Sequence, residues 1–445
     1  MRLLPAMPAE RFPRPRSLGA GWVVAIALLV AVPTGVAGAR GAVATLARNR
    51  CGAGDDPTCV TTADGGRPAT TALPPSGGWT QLQILGPSAR SQPAIAYDPS
   101  IQAVVMFGGY SSGFGAIGDT WLFANNAWTP ISASLSVSPP ARWGASMVWD
   151  AAAGNLVMFG GRTLTGFFND TWTFSGTAWS NVTRPLAPPA RSLFEMAYDP
   201  VSGQVLVDGG ARLNFSTGVW GTIDDTWAYA GGTWTNVSQP PPGGALDRAA
   251  GQAAFDPWSN SVVFVGGGST SNWTLGCTPI DPIQAYAGGR WTESPSSVGP
   301  PGVSQEMMTY DAAGDYLLLF GGYGQTGSGT PPTCIQLGAT WIRWQGNWTN
   351  ISGELAVAPS ARYLSGIAFD PVLNEVLLFG GNGEGAYLGD TWIFAAAPLV
   401  SNASSSPPGV PLAYLLVALV VVGAVAGLAG FAVGRRGRRT PPPPR

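Results

Sequence analysis

The sequence predicts an all-β protein, a six-bladed β-propeller, and three observations carry that expectation. An apolar run ending in Gly-Gly recurs six times, at Gly108, Gly160, Gly209, Gly266, Gly321 and Gly380. A fixed period of roughly 50–60 residues marks a solenoid, a propeller or an array. Each Gly-Gly is followed by a variable loop and an Asp-Thr-Trp or its variant, and in the first five units by a lone Trp, as in Asp119-Thr120-Trp121 and Trp128. The chain of 445 residues holds 62 Gly, 40 Pro and only 11% charged residues. With no long helical period between residues 79 and 397, that composition favours many short strands joined by turns.

Within a repeat the elements follow in a set order. An Arg opens the first strand, and an aromatic-Asp pair closes it eight residues after the Arg. The examples are Arg90…Tyr97-Asp98, Arg142…Trp149-Asp150, Arg191…Tyr198-Asp199, Arg248…Phe255-Asp256 and Arg362…Phe369-Asp370. The fifth repeat keeps Tyr310-Asp311 but has Val303 in place of the Arg. Asp followed by Pro or Ala and then Gly or Asn is turn chemistry, since the Asp carboxylate bonds its own backbone and Pro presets φ. The second strand ends in Gly-Gly, the third carries Asp-Thr-Trp and the fourth carries the lone Trp. Asp208 stands just before its Gly-Gly, repeat four reads Gln284-Ala285-Tyr286 where Asp-Thr-Trp is expected, and repeat five reads Ala339-Thr340-Trp341.

The Trp count sets the closure. Trp128, Trp179, Trp234, Trp291 and Trp348 follow five Gly-Gly units, whereas the sixth unit ends Asp390-Thr391-Trp392-Ile393-Phe394 and has no such Trp. The missing strand matches Gly78-Trp79-Thr80-Gln81-Leu82 at the front, so the N-terminal strand is expected to complete the last blade.

Outside residues 79–397 the chain reads as targeting and anchoring segments. Residues 1–39 hold a basic start, an uncharged stretch from Leu18 to Ala39 and Ala37-Gly38-Ala39 at its end. That is the layout of a cleaved secretory signal, with a retained signal anchor as the alternative. Residues 40–78 form a spacer rich in Gly, Ala, Thr and Pro, and residues 398–409 a polar stalk. Residues 410–434 are uncharged and mostly apolar, long enough to span a bilayer as a helix, and the basic tail 435–445 follows. Positive charge marks the cytoplasmic side. The expected product is a single-pass cell-membrane protein with its propeller extracytoplasmic and its C-terminus cytoplasmic.

Composition removes whole classes of chemistry. The chain has no His, and all 23 basic residues are Arg, which removes His bases, Schiff-base Lys and the Ser-His-Asp triad together. No cofactor or metal-ligand pattern is found, so neither is expected. In the repeats ten Arg, from Arg90 to Arg362, face 21 acidic residues between Asp98 and Asp390. An acidic domain repels phosphate backbones, so nucleic acid is not an expected partner, and the excess acid reads first as solubility.

The repeats resemble kelch repeats, the class found in the central domain of galactose oxidase, over about 70% of the chain. The resemblance implies a propeller fold. It does not carry the oxidase activity, because two ligands of that copper site are His and this chain has none. Kelch propellers also include sialic-acid mutarotases, so the resemblance implies a sugar isomerase as the enzyme alternative. Acid–base work would then fall to carboxylates, with Glu195, Asp208 and Glu306 as candidates beside the inner strands. No catalytic residue is assigned.

The leading expectation is a binding or adhesion module, a monomeric propeller facing an extracellular protein or glycan. The long loops after Gly-Gly carry Tyr110, Phe114, Phe167, Phe168, Phe215, Trp220, Trp273, Tyr323 and Tyr387. Flat rings in exposed loops offer stacking surface for sugars or for a partner's apolar anchors. Arg90, Arg142, Arg191, Arg248 and Arg362 would make a ring able to bind an anion bidentately, or else would pair within the scaffold. Cys277 and Cys334 fall in equivalent loops of consecutive repeats and are expected to bond outside the cytosol. Pairing with Cys51 and Cys59, themselves close enough for a small disulfide loop, is the alternative.

Overall fold

The computed structural model describes residues 77–239, 248–268, 283–293, 299–326 and 333–396. Six four-stranded antiparallel sheets account for most of them, and no sheet closes on itself. The first sheet shows the rule. Ala94–Asp98 pairs with Ala103–Ser111, which pairs with Gly115–Ala124, which pairs with Ala127–Pro130. The second sheet starts at Trp143–Asp150, the third at Glu195–Asp199, the fourth at Ala249–Asp256, the fifth at Met307–Asp311 and the sixth at Gly366–Asp370.

Each sheet buries both faces. Val105 and Phe107 pack with Ala145 and Met158 of the second sheet, while Val104 and Met106 pack with Leu377 and Phe379 of the sixth. Four further shared cores join the second sheet to the third, the third to the fourth, the fourth to the fifth and the fifth to the sixth. Six sheets with six shared cores make a ring, a propeller-like arrangement. The second strands read as continuous apolar runs because both of their faces are buried.

The fourth strand of the sixth sheet comes from the start of the described chain. Gly77–Leu82 pairs antiparallel with Thr391–Ala396, with Trp79 opposite Phe394. Trp79 then packs edge-on against Phe320 and Phe394 at 5.2 and 5.1 Å, and its Nε1 donates to Thr340 of the fifth sheet at 3.0 Å. The same bond recurs around the ring, from Trp128 to Thr391, from Trp179 to Thr120 and from Trp234 to Thr171. The lone Trp and the Thr of Asp-Thr-Trp are thus two halves of one contact between sheets. Trp348 lacks it, because Ile283 occupies the Thr position.

That register corrects the alignment of repeat four. Tyr286 pairs with Val262, and Gln284 with Phe264, so the residues in place of Asp-Thr-Trp are Pro282-Ile283-Gln284 rather than Gln284-Ala285-Tyr286. The Asp residues closing the first strands are the turn formers expected. Asp98, Asp150, Asp199, Asp256, Asp311 and Asp370 are buried, and each accepts a backbone N–H two residues on at 2.9–3.0 Å.

Four of the opening Arg residues serve the scaffold. Arg90 uses all five guanidinium donors inside its own repeat, on Ser88 O and Oγ, Gly108 O and both carboxylate oxygens of Asp119. Arg362 repeats the arrangement on Asp390, and Arg142 and Arg191 pair with Asp170 and Asp225. Asp119, Asp170 and Asp390 also accept the Nε1 of the Trp two residues on, each at 2.7 Å. Burial alone would raise the Asp390 pKa, but the Arg362 hydrogen bonds and charge outweigh it and hold the carboxylate below its ordinary value. The fifth sheet has lost both partners together, with Val303 for Arg and Ala339 for Asp.

A buried ion pair is costly to break and cheaper to remove whole. Arg142→Val alone is therefore expected to destabilise the protein by about 3 kcal/mol, and adding Asp170→Ala to recover part of that loss. Denaturant titrations of the two single variants and the double variant measure the coupling. Strictly additive losses would contradict the pairing account.

Candidate functional site

The ring has two unlike ends. The tight turns lie at one end, and the loops after Gly-Gly lie at the other, beside the connections between sheets. At the loop end the aromatic residues meet. Tyr323 lies 5.2 Å from Tyr363, Tyr110 lies 5.6 Å from Tyr387 and 4.8 Å from Trp143. Arg162 then sets its guanidinium carbon 4.9 Å from the Trp143 ring, 4.7 Å from Trp220 and 5.7 Å from Phe167. Phe167 continues the contacts to Phe215 and Trp220 at 5.8 and 5.9 Å. The arc runs through the loop ends of the fifth, sixth, first, second and third sheets.

Among the described residues, Arg162 is the one cation set against these rings. Burial lowers its pKa, with Tyr110 acting the other way, and the guanidinium remains charged at neutral pH. Among the described residues Arg162 makes no ion pair, so its charge rests against ring faces, each contact worth about 0.5–1 kcal/mol. Burial first, then Tyr323 and Tyr387, raises the Tyr363 pKa, which keeps that phenol a neutral donor. The arrangement suits stacking against a flat face with one anionic or acceptor group presented to Arg162.

Of the loop aromatics singled out in the sequence, Tyr110, Phe167, Phe215, Trp220, Tyr323 and Tyr387 belong to the arc. Phe114 is exposed at a loop tip. Phe168 lies under Arg142, ring centroid 3.9 Å from the guanidinium carbon, and packs as scaffold. Trp273 and the Cys51, Cys59 and Cys277 thiols lie outside the described residues, as does the side chain of Cys334. Trp143, Tyr363 and Arg162 were not singled out. Trp143 and Tyr363 directly follow the opening Arg, and Arg162 directly follows Gly-Gly. These two variable positions pair across the first two strands, as Trp143 with Arg162 shows.

The five Arg residues do not form an anion-binding ring. All are buried, and four hold carboxylates of their own repeats. Arg248 differs in making no ion pair among the described residues. Its Nη2 donates to Gln284 Oε1 at 3.2 Å, and its charge is felt by Glu195, Asp208 and Glu306.

Those three acids, the catalytic candidates, stand around it, Glu195 and Glu306 buried and Asp208 half-buried. Burial raises Glu195 to about 8 against the pull of Arg248, with Asp208 adding to the rise. Its Oε1 accepts the Gly251 N–H at 2.7 Å. Burial likewise takes Asp208 to about 6 although Thr226 Oγ1 donates to it at 2.7 Å, and burial with the Glu195 charge raises Glu306.

A central cavity of about 750 Å³ is lined by the first strands of all six sheets. At the loop end Gln92, Gly144, Leu193, Ala250, Gln305 and Leu364 surround it, every one at positive φ. Five backbone hydrogen bonds of 2.6–3.1 Å link them, each amide donating to the carbonyl of the preceding sheet. At the turn end the half-buried rings of Tyr97, Trp149, Tyr198, Phe255, Tyr310 and Phe369 form the mouth. Glu306 is among the lining residues, whereas Glu195 and Asp208 are not. Among the described residues no group of three or more Cys, Asp or Glu is arranged to hold a metal.

No family model and no curated protein matches the chain. Among solved structures, that of the protein YjhT is similar, with a TM-score of 0.51 and 18% identity over 69% of this chain and 95% of its own. At that identity the likeness concerns the fold.

Glu195 gives a pH signature. The folded protein holds its proton up to about pH 8, while the unfolded chain releases it near the ordinary value of 4.5. The native state then binds more protons across that window, so stability falls as pH rises through it. Denaturant titrations from about pH 5 to about pH 8 are expected to show a shallower fall for Glu195→Gln than for the parent. Equal slopes would contradict the buried, protonated assignment.

Proposed function

We propose that the chain is a kelch-type six-bladed propeller, anchored in the cell membrane and held outside the cytoplasm, that binds an extracellular protein or glycan. The observation that carries this reading is the aromatic arc centred on Arg162, which joins loops from five sheets into one platform. The basic N-terminal segment with its apolar stretch, the uncharged residues 410–434 and the Arg cluster after them support the location. The missing His and Lys and the internal use of the opening Arg residues leave recognition to rings and one cation. Trp, Tyr and Arg are the side chains that dominate binding energy when they cluster.

A second reading, a membrane-tethered enzyme acting on sugars, draws on one feature. Glu306 lines the cavity with its pKa raised, as a general acid requires. Its carboxyl oxygens are buried without hydrogen-bond partners, so this reading asks a substrate to reach a group the cavity does not expose.

The test uses the purified full chain on a glycan array and on intact cells. Trp143→Ala, Trp220→Ala and Arg162→Ala are each expected to weaken binding by about thirtyfold, at roughly 2 kcal/mol for each central anchor. The thermal midpoint should stay within a few degrees. Unchanged binding with a lowered midpoint would make the arc packing and overturn the reading. Glu306→Gln is expected to leave binding intact, and loss of sugar turnover in that variant alone would favour the enzyme.

A further inference from the structure

The chain leaves the ring at one end only. Gly77 begins the last strand and Ala396 ends its partner, and the two are opposite one another in the register. Ala395 pairs with Glu375, at the turn side of the sixth sheet, whereas Thr391 pairs with Phe379 at the loop side. Both exits therefore lie at the turn end, away from the aromatic arc. Residues 397–409 separate Ala396 from the apolar run at 410–434. Even fully extended, that length reaches only about 45 Å.

The turn end is unusual in its chemistry. The six inner turns read Pro-Ser-Ile-Gln, Ala-Ala-Ala-Gly, Pro-Val-Ser-Gly, Pro-Trp-Ser-Asn, Ala-Ala-Gly-Asp and Pro-Val-Leu-Asn, from Pro99 to Asn374. The five outer turns are built on Asn125-Asn126, Gly176, Gly231-Gly232, Gly288-Gly289 and Gln345-Gly346. One charged residue, Asp315, occurs among all eleven, with Arg290 and Glu375 at adjoining strand ends. Val201 is 59% exposed, Val372 48% and Trp258 38%. Exposed turns at a water-facing surface normally carry charge, and a neutral surface with apolar tips and aromatic rings is what an interface of lipid and water favours.

We propose that the turn end rests on the bilayer that holds the chain's own anchor, with Val201, Trp258 and Val372 entering the interfacial layer. This rests on the membrane-anchor reading above. The partner is the lipid surface itself, and the scarcity of Arg at this end means that zwitterionic lipid suffices. A short tether raises the effective concentration of the surface to the millimolar range, so three modest apolar contacts are enough to hold the end down. The consequence is orientation. The aromatic arc points away from the membrane, toward whatever the cell meets, and the aromatic mouth of the central cavity faces the lipid.

The test is lipid photolabelling of the full chain reconstituted in phosphatidylcholine vesicles, using a phospholipid with a diazirine beside its ester linkage. Peptide mapping is expected to place label on residues 410–434 and on the turn peptides holding Val201, Trp258 and Val372. None should fall on the loop peptides holding Phe114 and Phe215. Val201→Ser, Trp258→Ser and Val372→Ser together, all at exposed turns, should abolish the turn label while leaving the anchor label. Label confined to residues 410–434 would overturn the apposition and leave the anchor reading standing. Absence of label from residues 410–434 would overturn both.

Discussion

A ring of sheets holds together only if its last member finds a partner, and here the pairing of Gly77–Leu82 with Thr391–Ala396 supplies it. Each hydrophobic core belongs to two neighbouring sheets, so no sheet owns a core of its own. Without the early strand the sixth sheet would keep three strands, present an open edge and lose Trp79 from the core it shares with the fifth. The same pairing brings both chain exits to the turn end. Stability of the ring and the placement of both chain exits therefore follow from one register.

Departures from the repeat cluster in the fourth and fifth sheets, and each has a visible consequence. Ile283 in place of Thr leaves Trp348 without its acceptor. Arg248, without a carboxylate ion pair among the described residues, acts on Glu195, Asp208 and Glu306. Arg343 of the fifth sheet pairs instead with Asp256, the turn Asp of the fourth. The arc runs over the fifth, sixth, first, second and third sheets, while the acids Glu195 and Asp208 stand in the third and Glu306 at the start of the fifth. Rigid, satisfied repeats are a suitable base for a binding surface, because rings held by fixed strands lose little freedom on binding.

Much of the ring was legible because it rests on periodicity. Gly-Gly pairs, turn-forming Asp and the unmatched sixth Trp predict the strands, their order and the closure without reference to contacts. Repeat four misled because polar Gln284 is followed two positions later by an aromatic, as in Asp-Thr-Trp, and only the pairing of Tyr286 with Val262 fixes the register. The role of the opening Arg residues depended on a partner 28 to 34 positions away, which spacing alone does not link. The arc was half legible, since aromatic loops stand out, but Trp143, Tyr363 and Arg162 sit at strand ends where they read as core or edge residues. The positive-φ ring was invisible. Gln, Leu and Ala occupy it alongside one Gly, and a non-Gly residue there costs about 1 kcal/mol that only the bonds between sheets explain.

The closure is the claim on which the rest depends, and thermal unfolding of the full chain with residues 77–82 replaced by Gly and Ser tests it most directly. Losing Trp79 from a shared core removes about 3–5 kcal/mol, and at roughly 2–4 °C per kcal/mol for a large domain the midpoint should fall by about 10 °C or more. A midpoint within about 1 °C of the parent would mean that the ring closes without this strand, and would contradict the account.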